Sequence, residues 1–313
     1  MSPSECATAT PGKRLSWWLK DPRRAFLFQS SVSALESELG RPITPVERSE
    51  PGATHEELVA RVQTLWPADD RRFTLREISL AGELAQKATA YWQRFEANYH
   101  RNGAEREKAL EHALTFELLD FSRVARYCDV AADSSPVVRA CQAQHGKVEV
   151  FRQDLKYQTD FELGMIGGFA QDMREIEAGF FDVLSLHCSY EHFAGPADTE
   201  FVAEVDRVLG PTGACLIVPL YVASSPRIYF DPTRVSASTL ASYDREAQLC
   251  ATFNYGETHG RYYSPESLWD RVLSRVPAGL QATLLSFRDQ RAVDPSVYVR
   301  FGLILHRTES VVR

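Results

Sequence analysis

Two stretches of this chain, FFDVLSLH (180–187) and ACLIVPLY (214–221), are mostly apolar, the second nearly throughout, and neither has a polar face. A strand on a half-exposed sheet alternates apolar and polar residues, so a run without a polar face must be covered on both sides. Between them lies TEFVAEVDRVL (199–209), where Phe201, Val202, Val205, Val208 and Leu209 recur at helical spacing. A buried strand, a helix and a second buried strand make one crossover unit, and such a unit joins parallel strands. The pattern predicts a parallel sheet with helices on both faces.

The same texture begins at residue 123. RVARYCDV (123–130) and KVEVFRQDL (147–155) are further strand candidates, joined by SSPVVRACQAQHG, a short helix closed by Gly146. Gly210-Pro211-Thr212-Gly213 reads as a turn ahead of 214–221. QATLLSF (281–287) and VYVRFGLIL (297–305) have no helix-length segment between them, so an antiparallel hairpin is expected at one sheet edge. Residues 222–265, rich in Tyr, Ser and Pro, read as an irregular insertion of the kind that forms lids or substrate loops.

Residues 15–122 read as mostly helical. Leu58, Val59, Val62, Leu65 and Trp66 trace one amphipathic helix, and Leu84, Ala88, Tyr91, Phe95 and Tyr99 a second, stopped by Asn102-Gly103. Ala104 to Leu119 starts another, and Trp17, Trp18, Phe26 and Phe28 mark an earlier helix docking by its aromatics. The expected division is a helical section over 1–104, with a frayed tail at 1–14, and an α/β domain over 105–313.

The 313 residues carry a net charge of −7 with the basic residues scattered, which argues against a nucleic-acid partner. No apolar stretch approaches the roughly 20 residues that cross a bilayer, and the N-terminus lacks an apolar signal core. Cys6, Cys128, Cys141, Cys188, Cys215 and Cys250 show no C-x-x-C pair, the pattern of reduced cysteines in a cytoplasmic protein.

In an open parallel α/β sheet, ligands bind beyond the carboxyl ends of the strands. That rule selects Asp129, Asp133, Ser134 and Ser135 after the first strand, Asp154 after the second, His187 with Cys188, Glu191 and His192 after the third, and Tyr221. His187 is the candidate general base, since imidazole titrates near neutrality, with Glu191 and His192 orienting it or sharing its proton. Asp154 is the candidate ribose ligand. A zinc site on His187, Cys188, Glu191 and His192 fails on spacing, and no metal is expected. His259, Arg261, Tyr262 and Tyr263 are candidates to contact substrate from the insertion, and Ser264-Pro265-Glu266 caps a helix.

FDVLSLHCSYEHF (181–193) followed by EVDRVLGPTGACLIVPLY (204–221) resembles the fourth strand, helix and fifth strand of class I S-adenosylmethionine-dependent methyltransferases. RYCDVAADSSP falls where that family carries its cofactor loop. The resemblance covers about 120–221 and 281–306, and is nearest a bacterial methyltransferase-like subgroup with an H-C-S-[FY]-E-H-F strand end. It implies an α/β, Rossmann-like, mostly parallel sheet with a C-terminal antiparallel hairpin, here preceded by the helical section. It also implies S-adenosylmethionine as cofactor, held by Asp129, Ala131, Ser134, Ser135, Asp154, Leu155, Ala170 and His187. In the family's D-x-G-x-G loop, this chain has Ala131 and Asp133 at the glycine positions; Thr212 replaces a glycine of the later turn, and Phe169 stands where an acid often meets the adenine. The resemblance implies methyl transfer to a hydroxyl, amine or carboxylate of a small metabolite in a biosynthetic pathway, with a homodimer left open. The alternatives are a methyltransferase fold that no longer transfers methyl, an NAD(P)-dependent oxidoreductase, disfavoured because no G-x-G-x-x-G follows the first strand, and a scaffold without activity.

Overall fold

A computed structural model describes residues 21–47, 51–67, 70–99, 105–253, 255, 257–295 and 297–313. The elements run α1 (Pro22–Leu39), β1 (Ile43–Val46), α2 (His55–Leu65), β2 (Phe73–Ser79), α3 (Glu83–Phe95), α4 (Glu105–Leu118), β3 (Arg126–Val130), α5 (Val137–Gln144), β4 (Glu149–Asp154) and β5 (Met165–Gly167). They continue β6 (Phe181–His187), α6 (Ala197–Val208), β7 (Leu209–Leu220), β8 (Arg227–Phe230), α7 (Ala237–Ala241), β9 (Gln248–Thr252), β10 (His259–Tyr262), α8 (Pro265–Arg271), β11 (Gln281–Arg288) and β12 (Phe301–His306). The tail 1–14, Cys6, Trp17, Trp18 and the Asn102-Gly103 stop lie outside the described residues.

Contacts divide the chain into two compact units, one of residues 1–62, 191–197 and 221–269, the other of 63–190, 198–220 and 270–313. The expected boundary at 104 therefore gives way to a different division, in which the helical section contributes to both units. β1 and β2 also make its first half less helical than expected.

The larger unit is built on an eight-stranded sheet of order β2-β11-β12-β7-β6-β3-β4-β5. β7, β6, β3, β4 and β5 are mutually parallel, β12 runs antiparallel between β7 and β11, and β2 joins β11 in parallel. The crossover and hairpin expectations hold in this order. The hairpin is one strand in from the edge, because Phe73–Ser79 adds outside it. Gly210 to Gly213 continues into β7 rather than turning, with a register shift against β6. Phe181, Val183, Leu184 and Leu186 are fully buried, as a strand covered on both faces requires. α4 packs against α3, β6 and β7 and is buried nearly all round, polar residues included.

The smaller unit has its own four-stranded sheet, β1-β9-β8-β10, with β10 antiparallel. The stretch expected to be irregular supplies three of these strands. Its core gathers Val32 and Leu35 of α1 with Ile43, Ile228, Phe230, Leu240 and Leu249. Phe26, expected to dock α1, points outward at 71% exposure. The Arg41 guanidinium ties the approach to β1 to the segment before β9, donating to the Ala247 carbonyl at 2.7 Å.

Within the larger unit, Asp198 is fully buried and takes two bonds from Arg271, Nη2 to Oδ1 at 2.6 Å and Nε to Oδ2 at 2.9 Å. Removing one partner of such a pair leaves an uncompensated buried charge, at about 3–5 kcal/mol. Asp198→Ala should lower the urea stability by that amount; a loss below about 1 kcal/mol would show that the pair does not brace α6.

Candidate active site at the strand ends of the larger unit

β3, β4 and β6 end side by side, and their last residues meet in one polar web. Asp129 is 1% exposed. Its Oδ1 accepts from His187 Nδ1 at 3.0 Å and from the Ser185 hydroxyl at 3.4 Å, and Ser185 in turn lies 2.7 Å from the Tyr127 hydroxyl. A carboxylate only accepts, so the His187 proton sits on Nδ1. His187 Nε2 meets the Thr115 hydroxyl at 2.9 Å, and that hydroxyl also reaches the Glu111 carbonyl at 3.2 Å. Burial holds His187 below its ordinary pKa, against the opposing pull of Asp129.

This geometry corrects the role expected of His187. The ring is buried with both nitrogens engaged, so it braces Asp129 rather than presenting a base or a cofactor contact. Glu191 and His192 belong to the smaller unit, where Glu191 Oε1 lies 3.6 Å from His192 Nε2. His192 Nδ1 bonds the His259 carbonyl, and His259 Nε2 lies 3.2 Å from the His192 carbonyl.

The loop after β3 takes an unusual path. Ala131 (φ 52°) and Asp133 (φ 41°) both occupy the left-handed region, at the two positions where the resembled family has glycine. Each such residue costs roughly 1–2 kcal/mol, less for Asp. The end of β4 supplies the restraint. Ala131 N donates to Gln153 Oε1 (3.2 Å), Ala132 N to the Gln153 carbonyl (2.9 Å) and Asp133 N to Asp154 Oδ2 (2.8 Å). Asp154 Oδ1 accepts from Lys156 N at 2.9 Å, and Lys156 Nζ pairs with Asp133 at 2.6 Å, which holds the Asp133 carboxyl below its usual range. Ser189 closes the gap to β6, its hydroxyl donating to the carbonyls of His187 (2.9 Å) and Ala131 (3.3 Å).

Several expected cofactor residues share this end of the sheet. Asp154 and Leu155 follow β4; Leu155 is 63% exposed and Phe169, just past β5, is 59% exposed. Ala170 is buried, so its side chain contributes packing there. Ser134 is exposed and Ser135 half-buried.

The expected substrate residues lie in the smaller unit and are absorbed by its packing. Tyr262 and Tyr263 are buried, Tyr221 stacks on Tyr262 at 4.8 Å, and the buried Arg261 donates to the Gly195 carbonyl at 2.8 Å and lies over the Tyr243 ring. The insertion's tyrosines are thus core residues of a sheet rather than a free aromatic surface. Ser264 caps α8 as expected, accepting from Ser267 N at 3.1 Å.

Sequence reasoning found the α4 helix but assigned none of its side chains to the site. Its Lys108, Glu111, His112 and Thr115 all face the web: Lys108 Nζ donates to the His187 carbonyl (2.6 Å), and the Cys188 thiol donates to Glu111 Oε1 (3.0 Å). Glu107 and Glu111 with Cys188 approach within 4.8 Å, and Lys108 stands 3.5 Å from Glu111 Oε2, supplying positive charge there.

No family model and no curated protein matches the chain. Solved structures resemble it loosely. One is 1,6-didemethyltoxoflavin-N1-methyltransferase of Burkholderia thailandensis with bound 1,6-didemethyltoxoflavin and S-adenosylhomocysteine (13% identity, 83% of this chain, 92% of that chain, TM-score 0.41). Another is an O-methyltransferase family protein from the same species (16%, 82%, 70%, TM-score 0.38). A third is a SAM-dependent methyltransferase from Archaeoglobus fulgidus (13%, 69%, 100%, TM-score 0.41). The fold assignment rests on the strand order of the larger unit: an α/β, mostly parallel sheet with its antiparallel strand in the place the sequence resemblance implies.

Two outcomes follow from the site. Ala131→Gly should leave stability within about 1 kcal/mol, relief of the left-handed strain offsetting added unfolded-state entropy, whereas Ala131→Val should lose about 2 kcal/mol or more in urea unfolding. Equal behaviour of the two variants would mean the loop does not hold this path. Burial also holds both His187 and His112 below the ordinary 6.5. The unfolded chain then takes up protons that the folded rings refuse, so stability is full above about pH 6.5 and falls as the pH drops below it. A His112→Gln, His187→Gln variant should show a shallower fall in urea midpoint between about pH 7 and pH 5.

Proposed function

We propose that the larger unit binds S-adenosylmethionine at the ends of β3 and β4 and transfers its methyl group to a small molecule. The observation that carries this reading is Asp129 Oδ2, which is buried and meets no donor among the described residues, while Oδ1 is fully engaged. A buried carboxylate oxygen without a donor is costly, and a ligand ammonium is the partner that removes the cost. The surrounding residues fit the rest of such a ligand. Asp154 keeps lone pairs for ribose hydroxyls, although both oxygens already accept backbone N–H groups. Leu155 and Phe169, exposed on neighbouring strand ends, offer apolar faces to a purine.

When bound, the cofactor would supply an activated methyl on sulfur. The chain would contribute orientation, with Asp129 set by His187 and the loop set by Gln153 and Asp154, so that catalysis is mainly positioning. Ser134 and Ser135 complete the polar rim. His187 being engaged on both nitrogens, a proton-removing role for it loses its support. A reading as a fold that keeps the pocket without methyl transfer is favoured by that same engagement. The oxidoreductase alternative is disfavoured by β12, since the doubly wound dinucleotide-binding sheet has no antiparallel strand in that place. A small-molecule acceptor, a biosynthetic setting and a cytoplasmic location belong to the proposal; among the described residues no helix is long and apolar enough to cross a membrane.

Calorimetry with S-adenosylmethionine, S-adenosylhomocysteine and NAD in parallel tests the reading. The first two should bind and NAD should not. Asp129→Asn should weaken S-adenosylhomocysteine by about tenfold or more, a charge-assisted bond being worth roughly 1.5–3 kcal/mol. Preference for NAD, or full affinity in a folded Asp129→Asn chain, would sink it.

A further inference from the structure

β2 and β11 begin, and the antiparallel β12 ends, at the amino ends of the parallel strands, the end of the sheet away from Asp129. An open hollow of about 430 Å³ lies there, between β2 and the segment after β12, with Arg123 ahead of β3. That volume is of the size that holds a small molecule.

Two arginines and one acid, Arg76, Arg123 and Glu309, line it. Both guanidiniums are exposed and held by carbonyls: Arg76 Nη1 donates to that of Arg313, and Arg123 Nη1 to that of Ser310 at 3.4 Å. Among the described residues neither forms an ion pair, whereas Arg72, Arg174 and Arg271 of the same unit are taken by Asp70, Asp172 and Asp198. The hollow therefore carries two cations against one anion in a chain whose net charge is −7.

The wall opposite β2 is fixed by the backbone. Val311 is fully buried, its N–H donates to the Thr212 carbonyl at 3.1 Å, and its carbonyl accepts from Asp120 N at 2.7 Å. Ser310, on this wall, adds a donor. His306 Nδ1 lies 2.9 Å from the Arg307 carbonyl and 3.3 Å from the Ser310 hydroxyl. A carbonyl only accepts, and a bare nitrogen so close to it would set lone pair against lone pair, so the proton sits on Nδ1. Nδ1 then offers Ser310 no acceptor, whether or not the ring is charged. The Ser310 oxygen accepts weakly from Val312 N at 3.4 Å, and its own proton finds no acceptor among the described residues.

We propose that this hollow binds the phosphate group of a small phosphorylated molecule, held by Arg76, Arg123 and Ser310. A phosphate carries close to two charges and three strong acceptor oxygens, which suits donors arriving from separate walls. A single carboxylate is already satisfied by one guanidinium fork. The site stands apart from the strand-end site and does not rest on the methyl-transfer reading.

The test is calorimetry on the full chain at fixed low ionic strength, with glycerol 3-phosphate, inorganic phosphate and glycerol as probes. The two phosphates should bind saturably and glycerol should not. Arg76→Gln and Arg123→Gln should each weaken both phosphates about tenfold, and Ser310→Ala about threefold. Glu309→Gln should tighten them, a gain that misfolding cannot imitate. Arg245→Gln, which removes a positive charge elsewhere, should leave them within about twofold. S-adenosylhomocysteine affinity should be the same in Arg76→Gln as in the wild type. A wild-type chain that takes up neither phosphate would overturn the inference. So would phosphate binding that survives the Arg76→Gln, Arg123→Gln double variant, or that S-adenosylhomocysteine displaces.

Discussion

A charged carboxylate buried at the tip of a central strand is expensive unless donors surround it, and Asp129 imposes that demand on its neighbours. β6 answers with Ser185 and His187. His187 must itself be satisfied on its far nitrogen, which calls for a polar residue on the covering helix, and Thr115 of α4 provides it. α4 consequently carries Glu111, His112 and Thr115 into a region where only apolar residues would otherwise be stable. Among the described residues, no donor reaches the buried Asp129 Oδ2. A polar network left incomplete at one atom is worse than an apolar core for stability alone. Its persistence at a strand end is best explained by a ligand that completes it.

The parallel core was legible because burial on both faces leaves a local mark: FDVLSLH and ACLIVPLY have no polar side to lose. The strands that were not foreseen lack that mark. Phe73–Ser79 is half-exposed and carries Arg76 and Glu77, so its composition is that of a connection, and only its pairing with β11 makes it a strand. Ile43–Val46 is four residues long, contains Pro45 and pairs in parallel with β9 far along the chain. Its partner strand at 248–252 and the next strand of that sheet, 227–230, are also short. Pairing between such distant short segments is settled by tertiary packing, which no local periodicity records.

The candidate site was half legible for a related reason. The rule of strand ends found Asp129, Asp154, Ser135 and His187 as positions, since it needs only the strands. Roles depend on partners, and His187 and Ser135 have partners on α4. The hint available was small: Glu111, His112 and Thr115 fall on one helical face among Ala109, Leu110, Ala113 and Leu114. In a helix buried all round, that polar patch has no amphipathic contrast to announce it. The insertion misled in the opposite sense, because its tyrosines suit a ligand surface as well as they suit the core that holds them.

The loop without glycines shows how a backbone shape can outlast the residues that usually permit it. Ala131 and Asp133 hold positive φ because three successive amides, at residues 131, 132 and 133, are drawn to the end of β4 by Gln153 and Asp154. Gln153 is itself fixed, buried and bonded through its amide to the Gly168 carbonyl after β5. Strain at a few residues persists where the surroundings over-determine it, and such places are commonly ligand sites. Glycine would reach the same path with less strain but would leave the unfolded chain more conformations to lose. The substitution therefore exchanges close backbone approach for a loop already ordered by its neighbour strand. In the site proposed here, a loop ordered in advance would lower the entropy lost when a ligand is held.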